Sequence, residues 1–211
     1  MALRNSFARG KTFGIYDDAD IIAAIYADEH RDYFNALVRR ARGRLIRYHL
    51  EVAKPVGRIG VISDTHGLLR EEALAALAGS DLIIHAGDIG NPEILECLRK
   101  LAPVAAVRGN IDKAAWAAAL PESTVVEAGG RSIYVLHDIH ELDLDPGAAG
   151  FTIVISGHSH RPSQEERAGV IYLNPGSAGP RRFQLPVTLA RINLGAALPE
   201  VEIVELAIAH R

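Results

Sequence analysis

Five short segments of this 211-residue chain carry side chains suited to holding cations. They are Asp64-Thr65-His66, Gly87-Asp88, Gly109-Asn110, His137 and His158-Ser159-His160. Carboxylate oxygen, imidazole nitrogen and amide carbonyl make a donor set without thiolate. Such a set suits octahedral Mn²⁺ or Fe²⁺, with Zn²⁺ or Ni²⁺ also open, whereas structural zinc more often recruits cysteine. The seven donors Asp64, His66, Asp88, Asn110, His137, His158 and His160 are too many for one ion. They are about right for two ions sharing a carboxylate. Residues i and i+2 of extended backbone point to one side, so each Asp-x-His or His-x-His pair is expected to present its donors together.

Each segment follows an apolar run of strand length. RIGVIS leads to Asp64, DLIIHAG to Asp88, PVAAVRG to Asn110, SIYVL to His137 and FTIVIS to His158. Ligands of open α/β sheets bind beyond the carboxyl ends of the strands, so these ends are expected to converge. Strands are expected at 58–63, 81–85, 104–108, 152–156, 169–173, 186–193 and 201–206. Helices are expected near 70–79 and from Asn91-Pro92 to about Ala102, with Asn as N-cap and Pro in the first turn. A short helix is expected at 113–119, and a hairpin around Gly129-Gly130. Helix–strand alternation followed by strand-rich sequence implies two packed sheets flanked by helices.

Taken in order, Asp64-x-His66, Gly87-Asp88, Gly109-Asn110, His137 and Gly157-His158-Ser159-His160 resemble the calcineurin-like metallophosphoesterases. Their spacing, and Asn174-Pro175-Gly176-Ser177, look most like the small YfcE-like phosphodiesterase branch. The resemblance covers about 58–193. It implies an α/β fold, a four-layer αββα sandwich with two mixed β-sheets, and a phosphodiesterase using a hydroxide between two divalent metals. Mn²⁺ is the first choice of metal. By match to the motif, Asp64, His66 and His160 would hold one ion and Asn110, His137 and His158 the other, with Asp88 bridging. Asp88, Asn110 and His137 would then be the catalytic group. Many superfamily members have a histidine after Gly-Asn that is proposed to protonate the leaving group. Ile111 stands there instead, as the YfcE-like branch also lacks that histidine. His140 is a solvated loop residue or a substitute donor. Asp138 follows His137 where the branch usually has glycine, so a positive φ at that point would be strained. A scaffold of the same fold and a phosphomonoesterase or nuclease are the competing readings, and the intact donor set favours an enzyme.

Residues 1–57 lie outside the resemblance and are read as a helical, basic extension preceding a metallophosphoesterase domain at 58–211. They hold 10 Lys/Arg against 7 Asp/Glu, whereas 58–211 hold 13 against 19. Phe34, Leu37, Val38, Ala41, Leu45 and Tyr48 recur at helical steps between arginines. Solvated arginines are preferred here over a basic face for an acidic partner or membrane. Met1 is the only methionine, and Val52 is well placed for an alternative start. The net charge of −3 implies no bulk attraction to nucleic acid. The single Cys97 and the lack of a long apolar run lead to the expectation of a cytoplasmic protein. The expected partner is a small phosphodiester substrate, with a homo-oligomer left open.

Other residues have plainer readings. Cys97 and His85 are expected in the core, and His30, His49 and His210 at the surface. Asp112 either orients a ligand or caps the helix after it. Arg181 and Arg182 could meet a substrate phosphate or be solvated, the solvated reading being preferred for Arg182.

Overall fold

The structure, a computed structural model, describes residues 46–48, 56–195 and 198–208. Its frame is two sheets packed face to face. The first has the order β11-β10-β2-β3-β4, built from β2 (Arg58–Ile62), β3 (Leu82–His85), β4 (Val104–Ala106), β10 (Thr188–Asn193) and β11 (Glu200–Glu205). Strands β2, β3 and β4 run parallel, so their carboxyl ends share one edge. The second has the order β1-β5-β6-β7-β9-β8. Its strands are β1 (Ile46–Tyr48), β5 (Ser123–Ala128), β6 (Arg131–Leu136), β7 (Phe151–Ile155), β8 (Ser163–Arg167) and β9 (Val170–Asn174). Here β6 and β7 are parallel.

Period-two alternation assigns the side chains. Ile59, Val61, Leu82 and Ile84 face inward, against Val126, Ile133, Val135, Ile153 and Ile155 of the second sheet. Ile62 and Ile83 face outward and are covered by α1 (Glu71–Leu77) and α2 (Pro92–Arg99), through Leu77, Leu95 and Leu98. Burying each such side chain contributes about 1.5–3 kcal/mol. Strands covered on both faces read as near-continuous apolar runs, hence their legibility. The N-cap of α2 is Asn91, whose side chain accepts the Glu93 N–H at 2.9 Å. The outer face of the second sheet is covered more thinly, by Ile139, Leu142 and Leu144 of the loop after β6. The α/β sandwich expected from the sequence is therefore present, with that loop as its fourth layer.

Several local expectations are corrected. Residues 46–48, inside the stretch read as helical, form an edge strand parallel to β5; Ile46 and Tyr48 favour pleated backbone. The remainder of that stretch, with His30, His49 and His210, lies outside the described residues. β8 is a strand of five exposed residues, SQEER, which carries no apolar alternation to read. Residues 115–119 form a 3₁₀ helix. Cys97 is half-buried, on the rim of α2. Ahead of β2, Val56 joins the inter-sheet core and the Gly57 N–H donates to Asp81 Oδ2 at 3.0 Å. Among the described residues no helix is long and apolar enough to cross a membrane.

Candidate metal centre

The parallel strands deliver their ends to one place. Asp64 N donates to Gly87 O (3.0 Å) and His66 N to Asp88 O (2.9 Å), tying the end of β2 to that of β3. Gly157 N donates to His137 O (2.9 Å), tying β7 to β6. His158 N donates to Asp64 Oδ2 at 3.2 Å and joins the two sheets. Two glycines permit this approach: a Cβ on Gly109 would collide with the Asp88 carboxylate, and one on Gly157 with Ser63 Oγ.

The backbone at five of the seven donors is not extended. Asp64 (φ 54°), His66 (46°), Asp88 (54°), His158 (66°) and His160 (58°) are all left-handed. The expected reason for the pairs pointing together is thus replaced: left-handed turns, pinned by the hydrogen bonds above, aim them. Left-handed conformations of non-glycine residues cost on the order of 1–3 kcal/mol each and concentrate at functional sites. Only two other non-glycine residues with positive φ are found among the described ones, Ala168 and Phe183.

All seven expected donors come together. In one half, His66 Nε2 faces His160 Nε2 at 3.2 Å, and His160 Nε2 lies 3.2 Å from Asp64 Oδ1. In the other half, His137 Nε2 and His158 Nδ1 approach Asn110 Oδ1 at 3.2 and 3.0 Å. Asp88 stands between them. Its Oδ2 is 3.8 Å from His66 Nε2 and its Oδ1 is 3.3 Å from His137 Nε2. Asp64 also belongs to both groupings of close donor atoms.

Electrostatics show what these groups lack. Burial pushes the Asp64 carboxyl up to about 6. Burial, with His66 alongside, takes His160 down to about 4 and also lowers His66. Asp64 Oδ1 is buried without a hydrogen-bond partner among the described residues. A desolvated carboxylate oxygen and two opposed imidazole nitrogens fit a divalent cation, which would satisfy all three. For His137, burial is outweighed by Asp88 and by the Ala86 carbonyl, which accepts from Nδ1 at 2.7 Å, and the ring is raised to about 8. That bond leaves Nε2 facing the site, the usual arrangement for a ligating histidine. Burial also works against the Asp88 carboxylate, but His137 and the Ile111 N–H hold its acid below the ordinary range.

Outer residues hold the donors. Asp112 accepts from Ile89 N (3.1 Å), Gly90 N (2.8 Å) and Gly109 N (2.9 Å), binding the loop of Asp88 to that of Asn110. It orients loops and does not cap the following 3₁₀ helix, whose N-cap is Ala114. His85 is fully buried as expected. Its Nε2 meets Thr65 Oγ1 at 3.0 Å while its Nδ1 has no hydrogen-bond partner among the described residues, and burial takes it down to about 3. Roles that the sequence did not assign fall to Asn174, whose Nδ2 donates to Gly157 O (2.6 Å), and to Ser177, whose Oγ donates to Asp64 O (2.9 Å). The quoted motif Asn-Pro-Gly-Ser was the available signal.

Asp138 has φ −105°, so replacing glycine there strains nothing. Its carboxylate accepts from His140 N (3.0 Å) and His140 Nδ1 (2.8 Å), and Oδ2 lies 3.6 Å from His158 Nε2. The His140 side chain is 86% exposed. Arg181 Nε donates to Leu185 O at 3.4 Å within its own loop. Arg182 is exposed, as the solvated reading has it, and its charge adds to the lowering of His66 and His160.

This chain is similar to known proteins in sequence and fold. The family described as the calcineurin-like phosphoesterase superfamily domain matches residues 58–196. A "Probable metallophosphoesterase" of Methanothermobacter thermautotrophicus is 35% identical over 148 residues, 64% of this chain and 86% of the relative. A solved Streptococcus pneumoniae protein, described as a predicted phosphoesterase, is similar at 30% identity and TM-score 0.58, over 71% of this chain and 89% of its own. YfcE, a phosphoesterase from E. coli, shares the fold at 22% identity and TM-score 0.52, over 71% of this chain and 99% of its own.

Proposed function

This chain belongs to the calcineurin-like phosphoesterase superfamily, and from that premise we propose that it is a phosphodiesterase working with two divalent metal ions, Mn²⁺ first among them. The observation that carries the reading is the pair of donor groups joined by Asp88, whose two carboxylate oxygens face different halves. Asp64, His66 and His160 would hold one ion, and Asn110, His137 and His158 the other. When bound, two such ions supply Lewis acidity, neutralising phosphate oxygens and acidifying a water.

The chain's own residues do the rest. Ala86 O fixes the His137 ring, and Asp112 fixes the spacing of Asp88 and Asn110. Left-handed backbone preorganises five donors before any substrate arrives. Ile111 offers no proton. His140 is turned onto Asp138 and largely solvated, so it is a bystander and the leaving group departs without a dedicated acid.

The test is a panel of diesters of rising leaving-group pKa with Mn²⁺-loaded protein. A positioned acid contributes about 10²–10⁴-fold, most for poor leaving groups. Rates should therefore fall steeply from aryl to alkyl esters, and equally steeply in His140→Ala. A selective loss on poor leaving groups in that variant would make His140 the donor. A flat dependence in both proteins, with chemistry rate-limiting, would contradict the absence of an acid. Monoesters cleaved faster than every diester would move the reading to a phosphomonoesterase.

A further inference from the structure

A ligating histidine points one ring nitrogen at its ion only if the other nitrogen is held. At His137 that hold is the Ala86 carbonyl on Nδ1. At His158 the backbone is fixed by its N–H on Asp64, but the side chain is 43% exposed and sits edge-on to the His137 ring at 5.2 Å. Its Nδ1 gathers with His137 Nε2 around Asn110 Oδ1, at 3.0 and 3.2 Å. The outward nitrogen, Nε2, faces Asp138 Oδ2 at 3.6 Å.

Asp138 uses only one of its two oxygens within its own loop. Oδ1 accepts from His140 N at 3.0 Å, capping the 3₁₀ turn Ile139–Glu141, and from His140 Nδ1 at 2.8 Å. Serine or asparagine would cap that turn as well. Neither could do so and also offer an acceptor to His158. Capping therefore accounts for Oδ1 and leaves Oδ2, which the hold of His140 on the carboxylate keeps toward the open half of the centre.

We propose that Asp138 is a positioning residue for the metal centre: Oδ2 accepts the proton on His158 Nε2 and so turns Nδ1 toward the ion that Asn110 and His137 would hold. The observed spacing exceeds a hydrogen bond by about 0.5 Å, within a small swing of an exposed ring. A carboxylate in that place also makes the ligating nitrogen more basic. The inference deepens the two-metal reading and rests on it.

Equilibrium dialysis of the full chain against Mn²⁺ tests this as an affinity, without turnover. Asp138→Asn and Asp138→Ser both keep a cap for the 3₁₀ turn. Asparagine has a single oxygen, which the cap takes, and serine is too short to reach His158. In both variants one ion should bind about tenfold more weakly, the lower end of the range for such outer partners, and the other within about twofold of wild type. Melting of the metal-free variants should match the wild type. His158→Asn keeps an amide near the Nδ1 position but has no second ring nitrogen. Adding Asp138→Asn to it should cost less than about twofold, because the two residues act as one unit. Two ions bound as tightly in both Asp138 variants as in wild type overturn the inference and leave the two-metal reading standing. An equal loss on adding Asp138→Asn to His158→Asn also overturns it, since the carboxylate would then act without His158. So does a loss of metal matched by a loss of metal-free stability in both variants, which would make Asp138 a cap alone. A wild type that binds fewer than two ions removes the two-metal reading and this inference with it.

Discussion

The two halves of the centre are built differently. Asp64, His66 and His160 are mostly enclosed, with two stacked imidazoles 5.0 Å apart and an orphaned carboxylate oxygen. Asn110 and His158 are open to solvent, and only His137 on that side is buried. The enclosed half is therefore desolvated and strained before a ligand arrives, while the open half carries the solvent-facing side. What they share is Asp88 and the Asp112 clamp.

Breaking the shared clamp should have the largest structural effect. Asp112→Ala leaves three backbone N–H groups without their charged acceptor; that of Ile89 is buried and those of Gly90 and Gly109 can turn to water, and an unsatisfied buried donor costs about 1–3 kcal/mol. A loss of about 2–3 kcal/mol in denaturant unfolding is expected, with weaker metal binding in both halves. A variant as stable as the wild type would mean that the two loops hold themselves. Next comes the contrast itself. His160→Ala should lower metal affinity by at least the ~10–100-fold that an outer-shell partner typically contributes. His158→Ala, on the open side, should lower it less. Equal losses by equilibrium dialysis would erase the distinction.

How far this was legible from sequence also divides along the two kinds of structure. Runs such as Leu82-Ile83-Ile84 announce buried strands, and a donor after each of five such ends announces a centre. Left-handed turns at aspartate and histidine have no sequence signal comparable to glycine, so extended backbone was the natural inference and the wrong one. β8, with SQEER fully exposed, is defined by pairing with β9 rather than by burial, and pairing is not written in composition.

Acidity should separate the halves further. In the metal-free protein His137 is raised to about 8, so below that pH it carries a proton that a metal must displace. Asp64, raised to about 6 by burial, holds its proton only below that value. His66 and His160 are lowered by burial and stay neutral above pH 6.5. On acidification the His137 side should lose affinity from about pH 8 and the His66–His160 side from about pH 6. A titration series showing one common pH midpoint would count against unequal halves. The smallest effect concerns residues 1–57. Val56 is the first described residue of the core, and we propose that a chain starting at Val52 keeps the centre. Its stability should lie within about 1 kcal/mol of the full chain, the scale of a peripheral change. Loss of cooperative melting would place part of residues 1–51 in the core.

Two unequal halves make one centre only if Asp88 joins them. The most direct measurement is the metal content of wild type and Asp88→Asn, purified without chelator, alongside diester hydrolysis. The account predicts two ions per chain in the wild type, with a sharp fall in metal and loss of hydrolysis in the variant. An Asp88→Asn protein that keeps its metal and near-full activity would contradict it.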